Sequence, residues 1–447
     1  MIVSVKTAIP GPKSIRLVER MKKVVGLANY AGLYGIVMEK GQGPYLTDAD
    51  DNTFLDFLAG ASNNILGYGR QEVIKAYADQ AKKIQHSCFV YSPNQPAIEL
   101  AEKLISITPG NFSKKVLFGL SGSSSVDGAI KAARRFTNKP GIIAFKNAYH
   151  GNTGLSLQAN GFPGLQKGLF LGQDFYFVDF PTDQKLAQKT LKEIEKLLKT
   201  KKIAAFITEA VQGDGGNLVP PMDFHQKLAD LVHQYKAVFV VDEIQSGAGR
   251  SGKWWEIEYF GIEPDILVCG KGIASGYAVL TALIGKKEII DSLDKAQHVF
   301  TYEAQDAACA AVLKVLEIME KEKLRENALK MGNLLQNNLQ TLIKPESCAR
   351  EVRGFGLHQG FEVVDRKTDR PLGGLFGLRL VELGLYPGYF GPKNQALRLH
   401  PPLIVNEDQV NWACQKISQV VWEWDSGKFP QATVKKYEKV GVGLGTD

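Results

Sequence analysis

AVFVVDEIQSGAGRSGKWW (237–255) sets a carboxylate, Asp242, directly after a short apolar run, and PDILVCGKGIASG (264–276) repeats the arrangement with a lysine, Lys271. Three more runs of this kind, VLFG (116–119), GIIAFK (141–146) and IAAFIT (203–208), occur earlier in the chain. Between the runs lie helical stretches such as SSVDGAIKAARRFT (124–137) and DFHQKLADLVHQYK (223–236), the latter with Leu228, Leu231, Val232 and Tyr235 on one face. Strands alternating with helices predict a doubly wound α/β domain, with a mostly parallel sheet covered by helices on both faces.

The polar residues of interest follow the ends of these strands: Ser121 to Ser123, Tyr149 and His150, Glu209 with Asp214, Asp242, and Lys271. In open α/β sheets ligands bind at the carboxyl ends of the strands, so these coincidences point to one site. Downstream, residues 307–343 read as long helices, and RGFGLHQGFEVVD (353–365) and LRLHPPLIV (397–405) as strand-like pieces, which predicts a smaller α+β domain. The tail from Asp425 reads as a linker ending in VGVGLGTD (440–447), whose glycines lack the strand and helix context of a nucleotide loop.

With 447 residues, 44% of them hydrophobic, the chain can bury one large core and a second, smaller one. Its 54 basic and 47 acidic residues give a net charge of +7 without a run of like charges, which reads as a mildly basic surface rather than a nucleic-acid-binding one. Cys88, Cys269, Cys309, Cys348 and Cys414 form no CxxC pair and are odd in number. The expectation is free structural thiols in a reducing, cytoplasmic compartment, with neither a disulfide framework nor a metal cluster. The apolar stretch before Pro10 and Pro12 is too short for a secretory signal, and the apolar runs elsewhere are broken by acids, so no membrane span is expected.

In LFGLSGSSSVDGAIKAA (117–133) a strand ends in Ser-Gly-Ser and a helix begins at once. Backbone N–H groups at a helix start bind phosphate, Gly122 lets the chain approach closely, and Ser123 adds a hydroxyl. Serine capping explains the segment more simply when it is taken alone, and it matches neither GxxxxGKS/T nor GxGxxG. Tyr149 in NAYHGNTG (147–154) is placed to stack on a flat cofactor, although core packing is the default for a lone tyrosine. His150 reads as a structural histidine with one buried hydrogen bond. Lys271 would by default be a surface lysine, but Gly270 and Gly272 clear space around it and an apolar strand leads into it. Desolvation there would lower its pKa, as an imine-forming amine requires. A carboxylate that keeps a pyridine nitrogen protonated, together with such an amine, is what a pyridoxal phosphate (PLP) site needs.

As a set, DEIQSGAGRSGKWW, the Lys271 segment, SGSSS and YHG resemble the class III, fold type I, PLP-dependent aminotransferase superfamily, from Tyr45 in YLTDADDNTFLDFLAG to Pro402 in LRLHPPL. The resemblance implies a large PLP-binding domain at 61–309, an N-terminal segment, 1–60, packing with the small domain, and a C-terminal small domain and tail at 310–447. It implies pyridoxal 5'-phosphate joined to Lys271, with Asp242 at the pyridine nitrogen, Gly122 and Ser123 on the phosphate, Tyr149 and Ile244 on the two ring faces, and Gln245 near the 3-hydroxyl. Thr301 in HVFTYEAQDAACAA (298–311) matches a threonine that completes the phosphate site of the neighbouring subunit, implying a homodimer or dimer of dimers with composite sites. Arg398 in LRLHPPL matches the arginine that binds substrate carboxylate, a bidentate pairing suited to guanidinium. The chain departs from the family pattern at Ser124 and Ser125, where an acidic-alanine pair is usual, at GYGRQEV (67–73), and at Gln305-Asp306, where Asn-Pro is usual.

One further segment discriminates between reactions. ITEAVQGDGGNLVPP (207–221) carries Asp214 where aminotransferases of this class carry glutamate, and its Gln-x-Asp-Gly-Gly resembles the amino acid racemase and isoleucine 2-epimerase branch. IEPDILVCGKGIASG and GKKEIIDSL (285–293) share that likeness. Lys271 can move the Cα proton on one face, but inversion needs a proton delivered from the other, hence a second acid/base group unless one lysine serves both. Asp214, in a glycine-flanked loop at a strand end, is the candidate; the alternative is a turn aspartate that caps the chain after it. The expected function is a racemase or epimerase of free, nonpolar amino acids. The second reading is a class III aminotransferase of the 4-aminobutyrate or ω-amino acid type, because a retained Arg398 would serve an oxo-acid's carboxylate as well.

Overall fold

IAAFIT and VFVVD are buried at every position, as strands are when both faces of a parallel sheet are covered. The computed structural model describes residues 2–169 and 171–440, and its chain divides into two compact units, Met1–Arg70 with Glu326–Asp447, and Gln71–Arg325. In the second unit these strands are central in a sheet ordered Lys114–Gly119, Thr281–Lys286, Ile266–Cys269, Val238–Asp242, Ile203–Thr208, Gly141–Phe145, Phe175–Val178. Only Thr281–Lys286 runs antiparallel to its neighbours. The α/β class and the mostly parallel sheet are thus as read from the sequence, and each apolar run is a strand. Two strands escaped that reading. Phe175–Val178 is a short, half-buried edge strand, and TALIGK confines its apolar run to three residues between a threonine and Gly-Lys.

Alternating side chains fill the two faces. Ile142, Ala144, Val238, Val240, Ile266 and Val268 pack with Val126, Ala129, Ile130 and Ala133 of the helix Gly122–Thr137. Phe145 and Phe206 turn the other way, their ring centroids 5.0 Å apart, and Phe145 lies 6.1 Å from Phe224 at the start of the helix Phe224–Gln234. Each fully buried valine, isoleucine or phenylalanine of this set contributes about 1.5–3 kcal/mol. A slip of one residue would turn the whole set to the wrong face, so the core holds the register on which the strand ends depend.

The first unit holds a second sheet, ordered Met38–Gln42, Tyr45–Asp48, Thr53–Phe57, Leu385–Phe390, Ala396–Leu399, His358–Val363, Ala349–Phe355. Early and late parts of the chain meet where Thr53–Phe57 pairs in parallel with Leu385–Phe390, over a core of Ile9, Tyr34, Phe54, Leu378, Val381 and Tyr389. The units divide at 70 and 325, whereas the sequence reading set its boundaries at 60 and 309. The later boundary moves because the helix Asp306–Lys321 packs on the helices Gln71–Lys83 and Gln95–Ile107 of the second unit. The segment after Asp425 is also not the linker expected, since it forms the helix Gln431–Val440, with Thr433 and Lys436 donating to Glu382. The glycine-rich end at 441–447 lies outside the described residues. Among the described residues no helix is long and apolar enough to cross a membrane. The five cysteines are free, four of them buried.

Candidate active site

Five strand ends converge on one cavity of about 190 Å³ in the second unit. Gly122 and Ser123 enter it after Lys114–Gly119, Tyr149 to Gly151 after Gly141–Phe145, and Glu209, Val211 and Gly213 after Ile203–Thr208. Asp242, Ile244, Gln245 and Ser246 come from the end of Val238–Asp242, and Lys271 follows Ile266–Cys269. Asp214 stands next to Gly213, half-buried and outside the lining set, close enough for its charge to act on Tyr149 and Glu209. Thr301 is exposed, in a turn before the helix Asp306–Lys321, and does not line the cavity. Arg398 belongs to the first unit, where it is buried on the strand Ala396–Leu399 with its guanidinium 4.7 Å from the centre of the Phe390 ring.

At SGSSS, capping and site-building coexist. Ser121 Oγ accepts from the Ser124 N–H at 3.1 Å, and Ser124 Oγ accepts from the Leu120 and Ser121 N–H groups at 3.0 Å. This gives the first departure a local role, because Ser124 closes the capping box. Gly122 and Ser123 are left at the cavity wall. A Cβ on Gly122 would lie 2.8 Å from Ile244 Cδ1, so glycine lets Ile244 pack on the backbone here without shifting. Asp306 also has a partner, accepting from the Ser87 N–H at 2.8 Å and Ser87 Oγ at 2.9 Å and so tying the segment before Asn94 to the helix start.

His150 makes the one buried bond expected of it, but to Asp242, with Nδ1 and Oδ2 2.8 Å apart. Asp242 Oδ1 accepts from the Ile244 N–H at 3.0 Å, so both oxygens of a 5% exposed carboxylate are engaged, as a buried charge requires. Asn160 holds His150 in turn, its Oδ1 accepting from the His150 N–H at 2.5 Å. The sequence offered no sign of the pairing, since the two residues are 92 positions apart. Lys271 sits in left-handed backbone at φ +42°. For a residue with a Cβ this stores about 1–3 kcal/mol of strain, of the kind that collects at functional sites.

Three carboxyls gather here. Glu209 Oε2 accepts from the Gly213 N–H at 2.8 Å and Oε1 from the Tyr149 N–H at 3.3 Å. Burial, then the charges of Asp242 and Asp214, push its pKa well above the ordinary glutamate value. Burial, then Asp214 and Asp242, raise the Tyr149 phenol also. Glu209 follows its strand as noted from the sequence, yet nothing in the sequence distinguished it from a turn residue.

The lining fits a flat, anionic heteroaromatic group. A helix start with a serine hydroxyl suits a phosphate, Tyr149 and Ile244 offer ring faces, Asp242 suits a protonated ring nitrogen, and Lys271 brings an amine. Two buried atoms of lining residues, His150 Nε2 and Gln245 Oε1, have no partner among the described residues, which is where a polar ligand group belongs. Fold and cavity define a PLP-dependent enzyme of fold type I. Residues 28–421 match the aminotransferase class-III family, and the chain belongs to it. It is 35% identical to an alanine/serine racemase of Pyrococcus horikoshii, over 95% of this chain and 94% of that protein. It is 31% identical to an isoleucine 2-epimerase of Lentilactobacillus buchneri, over 95% and 98% respectively. An omega transaminase of Pseudomonas jessenii, solved in complex with PMP, superposes with a TM-score of 0.83 at 30% identity, covering 90% of this chain and 96% of its own.

Proposed function

We propose that the protein is an amino acid racemase or epimerase that inverts Cα of free, nonpolar amino acids, with Lys271 and Asp214 as its acid/base groups. The observation that carries this reading is the QGDGG loop, which brings a carboxyl within electrostatic reach of two cavity-lining residues, Tyr149 and Glu209. Likeness to a racemase and an epimerase along nearly the whole chain supports it. An aminotransferase is the second reading, favoured by the retained Arg398 and the likeness to a transaminase.

Lys271 would hold the cofactor through its amine, Gly122 and Ser123 its phosphate, Tyr149 and Ile244 its ring faces, and Gln245 its hydroxyl. When bound, pyridoxal phosphate supplies an electron sink that makes the substrate Cα proton acidic. Asp242, oriented by His150 and the Ile244 N–H, keeps an acceptor on the ring nitrogen. Lys271 Nζ takes the proton from Cα on one face, and Asp214 delivers a proton to Cα on the other. In the reverse direction the roles exchange, so each turnover starts with one of the pair protonated and the other not. Apolar Ile244 and Val211 in the cavity wall limit water while substrate is bound, so the acid/base groups exchange their protons with solvent between turnovers.

A single L-amino acid, such as L-leucine, supplied without an oxo-acid tests the reaction by chiral chromatography. The racemase converts it continuously to the D-form; an aminotransferase stops after one half-reaction per site, and that outcome would decide for the second reading. The free thiols suit a cytoplasmic enzyme acting on free amino acids.

We also propose a homodimer, or dimer of dimers, in which Thr301 completes the phosphate site of the partner subunit. Exposed apolar neighbours, Val299 at 41% and Tyr302 at 62%, support an interface there. Mixing Lys271→Ala chains with Thr301→Ala chains is expected to regain cofactor affinity and activity, since one of the two sites in a mixed dimer keeps both residues. Mixed dimers no better than either parent would exclude the composite site.

A further inference from the structure

We propose that Glu209 is a positioning residue for Asp214, a carboxyl strap that ties the loop carrying Asp214 to the loop carrying Tyr149. The proposal rests on the reading of Asp214 as the second proton carrier and adds what holds that residue in place.

The Asp214 loop is closed at its base, where Gln212 and Leu218 exchange both backbone hydrogen bonds at 3.0 Å. At its tip the N–H groups of Gly216 and Asn217 both donate to the Gly213 carbonyl, at 2.9 and 3.0 Å. Gly213 is therefore the pivot, and its own N–H donates to Glu209 Oε2 at 2.8 Å. Because the Gly213–Asp214 peptide is planar, fixing Gly213 and its carbonyl fixes where the N and Cα of Asp214 lie. The pivot also lies close to Gln245, since a Cβ on Gly213 would lie 2.3 Å from Gln245 Oε1. The second oxygen of Glu209 accepts from the Tyr149 N–H at 3.3 Å, so one side chain spans the loops that follow two adjacent strands.

Charge gives the strap its particular chemistry. The titratable groups around Glu209 are Tyr149 and His150 from one loop, Asp242 and Lys271 from the strand ends, and Asp214 on its own loop. Among three neighbouring carboxyls, burial and the charges of Asp242 and Asp214 favour the protonated form of Glu209. A neutral carboxyl still accepts the Gly213 N–H through its carbonyl oxygen and adds no repulsion to Asp214, which must gain and lose a proton in every turnover. Glutamine has the same shape and keeps the acceptor for the Gly213 N–H that holds the 210–217 loop, giving up only the longer bond from the Tyr149 N–H because its NH2 cannot accept; alanine keeps neither.

The test compares the holoenzymes of Glu209→Gln, Glu209→Ala and Asp214→Asn with wild type. Three readings are taken: L-leucine inversion across pH, amide hydrogen exchange of the 210–217 peptide, and melting temperature against pH. Glu209→Ala should lose inversion kcat by about 10²-fold, the scale set by misplacing a reacting group by about 1 Å, with faster exchange in 210–217. Glu209→Gln should restore most of that loss and the slow exchange. The thermal signature has a definite sign. A glutamate whose pKa is raised on folding costs stability above its unfolded pKa and nothing below it. Glu209→Gln should therefore melt higher than wild type at pH 8, the gap closing as the pH falls towards the ordinary value of 4.5. Glu209→Ala with wild-type inversion and exchange would overturn the strap. Glu209→Gln as impaired as Glu209→Ala, or a melting gap that ignores pH, would overturn the neutral strap in favour of a carboxylate working by its charge. Should Asp214→Asn invert at the wild-type rate while Glu209→Ala still loosens 210–217, the strap stands and only the reading of Asp214 falls.

Discussion

Lys271→Ala is expected to abolish turnover and to leave no cofactor fixed to the chain after borohydride reduction. The effect should exceed about 10⁴-fold, because Lys271 is assigned two tasks, anchoring the cofactor and moving the Cα proton, and the second alone contributes about 10²–10⁴-fold. The geometry singles out this lysine. It follows a strand buried at each of its four positions, lines the cavity with Asp242 and Tyr149, and is held in left-handed backbone at φ +42°. Alanine at this position keeps the Cβ and the backbone constraint and removes the amine with its stem, so the fold should survive and the variant should still bind the cofactor reversibly through Gly122, Ser123, Tyr149 and Asp242. Mass spectrometry of the reduced wild-type protein checks the assignment directly. A pyridoxyl group found on another lysine would overturn it.

Asp214→Asn carries the next largest expectation, a fall in inversion of about 10²–10⁴-fold with cofactor binding retained. Asparagine matches aspartate in size and leaves the backbone bonds of the loop in place, namely those between Gln212 and Leu218 and from Gly216 and Asn217 to Gly213. What it removes is the exchangeable proton. Two groups on opposite faces make a second, independent statement about isotope. In deuterated water the inverted product should carry solvent deuterium early, while unreacted substrate remains largely unlabelled, because the proton taken by Lys271 is not the one returned by Asp214. Equal early labelling of both enantiomers, or an Asp214→Asn enzyme near wild-type rates, would point to Lys271 serving both faces or to an aminotransferase.

The site was legible in the sequence to the extent that it consists of residues standing just beyond apolar runs. Gly122, Ser123, Tyr149, Asp242, Ile244, Gln245 and Lys271 all line the cavity for that reason. His150 was visible as a residue but not as a partner, since its bond to Asp242 joins positions 92 apart. Glu209 was hidden among polar residues of a turn; its part depends on two N–H groups, one 4 and one 60 residues away. Thr301 and Arg398 were singled out by likeness of sequence alone; Thr301, like Asp214, does not line the cavity, and Arg398 belongs to the first unit.

The kind of each element, and the rim on which chemistry collects, were already written in the local pattern of residues. An unbroken apolar run reports a strand covered on both faces, and parallel strands joined through helices bring all their carboxyl ends to one edge of the sheet. The tertiary structure alone decided the order of the strands, with antiparallel Thr281–Lys286 set between Lys114–Gly119 and Ile266–Cys269. It also decided that the helix Asp306–Lys321 packs with the second unit, and which polar groups of the rim bond to one another. The physical reason is range. Periodicity and run length are local patterns, written in neighbouring residues, that report which faces will be buried, whereas a hydrogen bond such as His150 to Asp242 depends on where separate strands end in space, and only the packed core sets that.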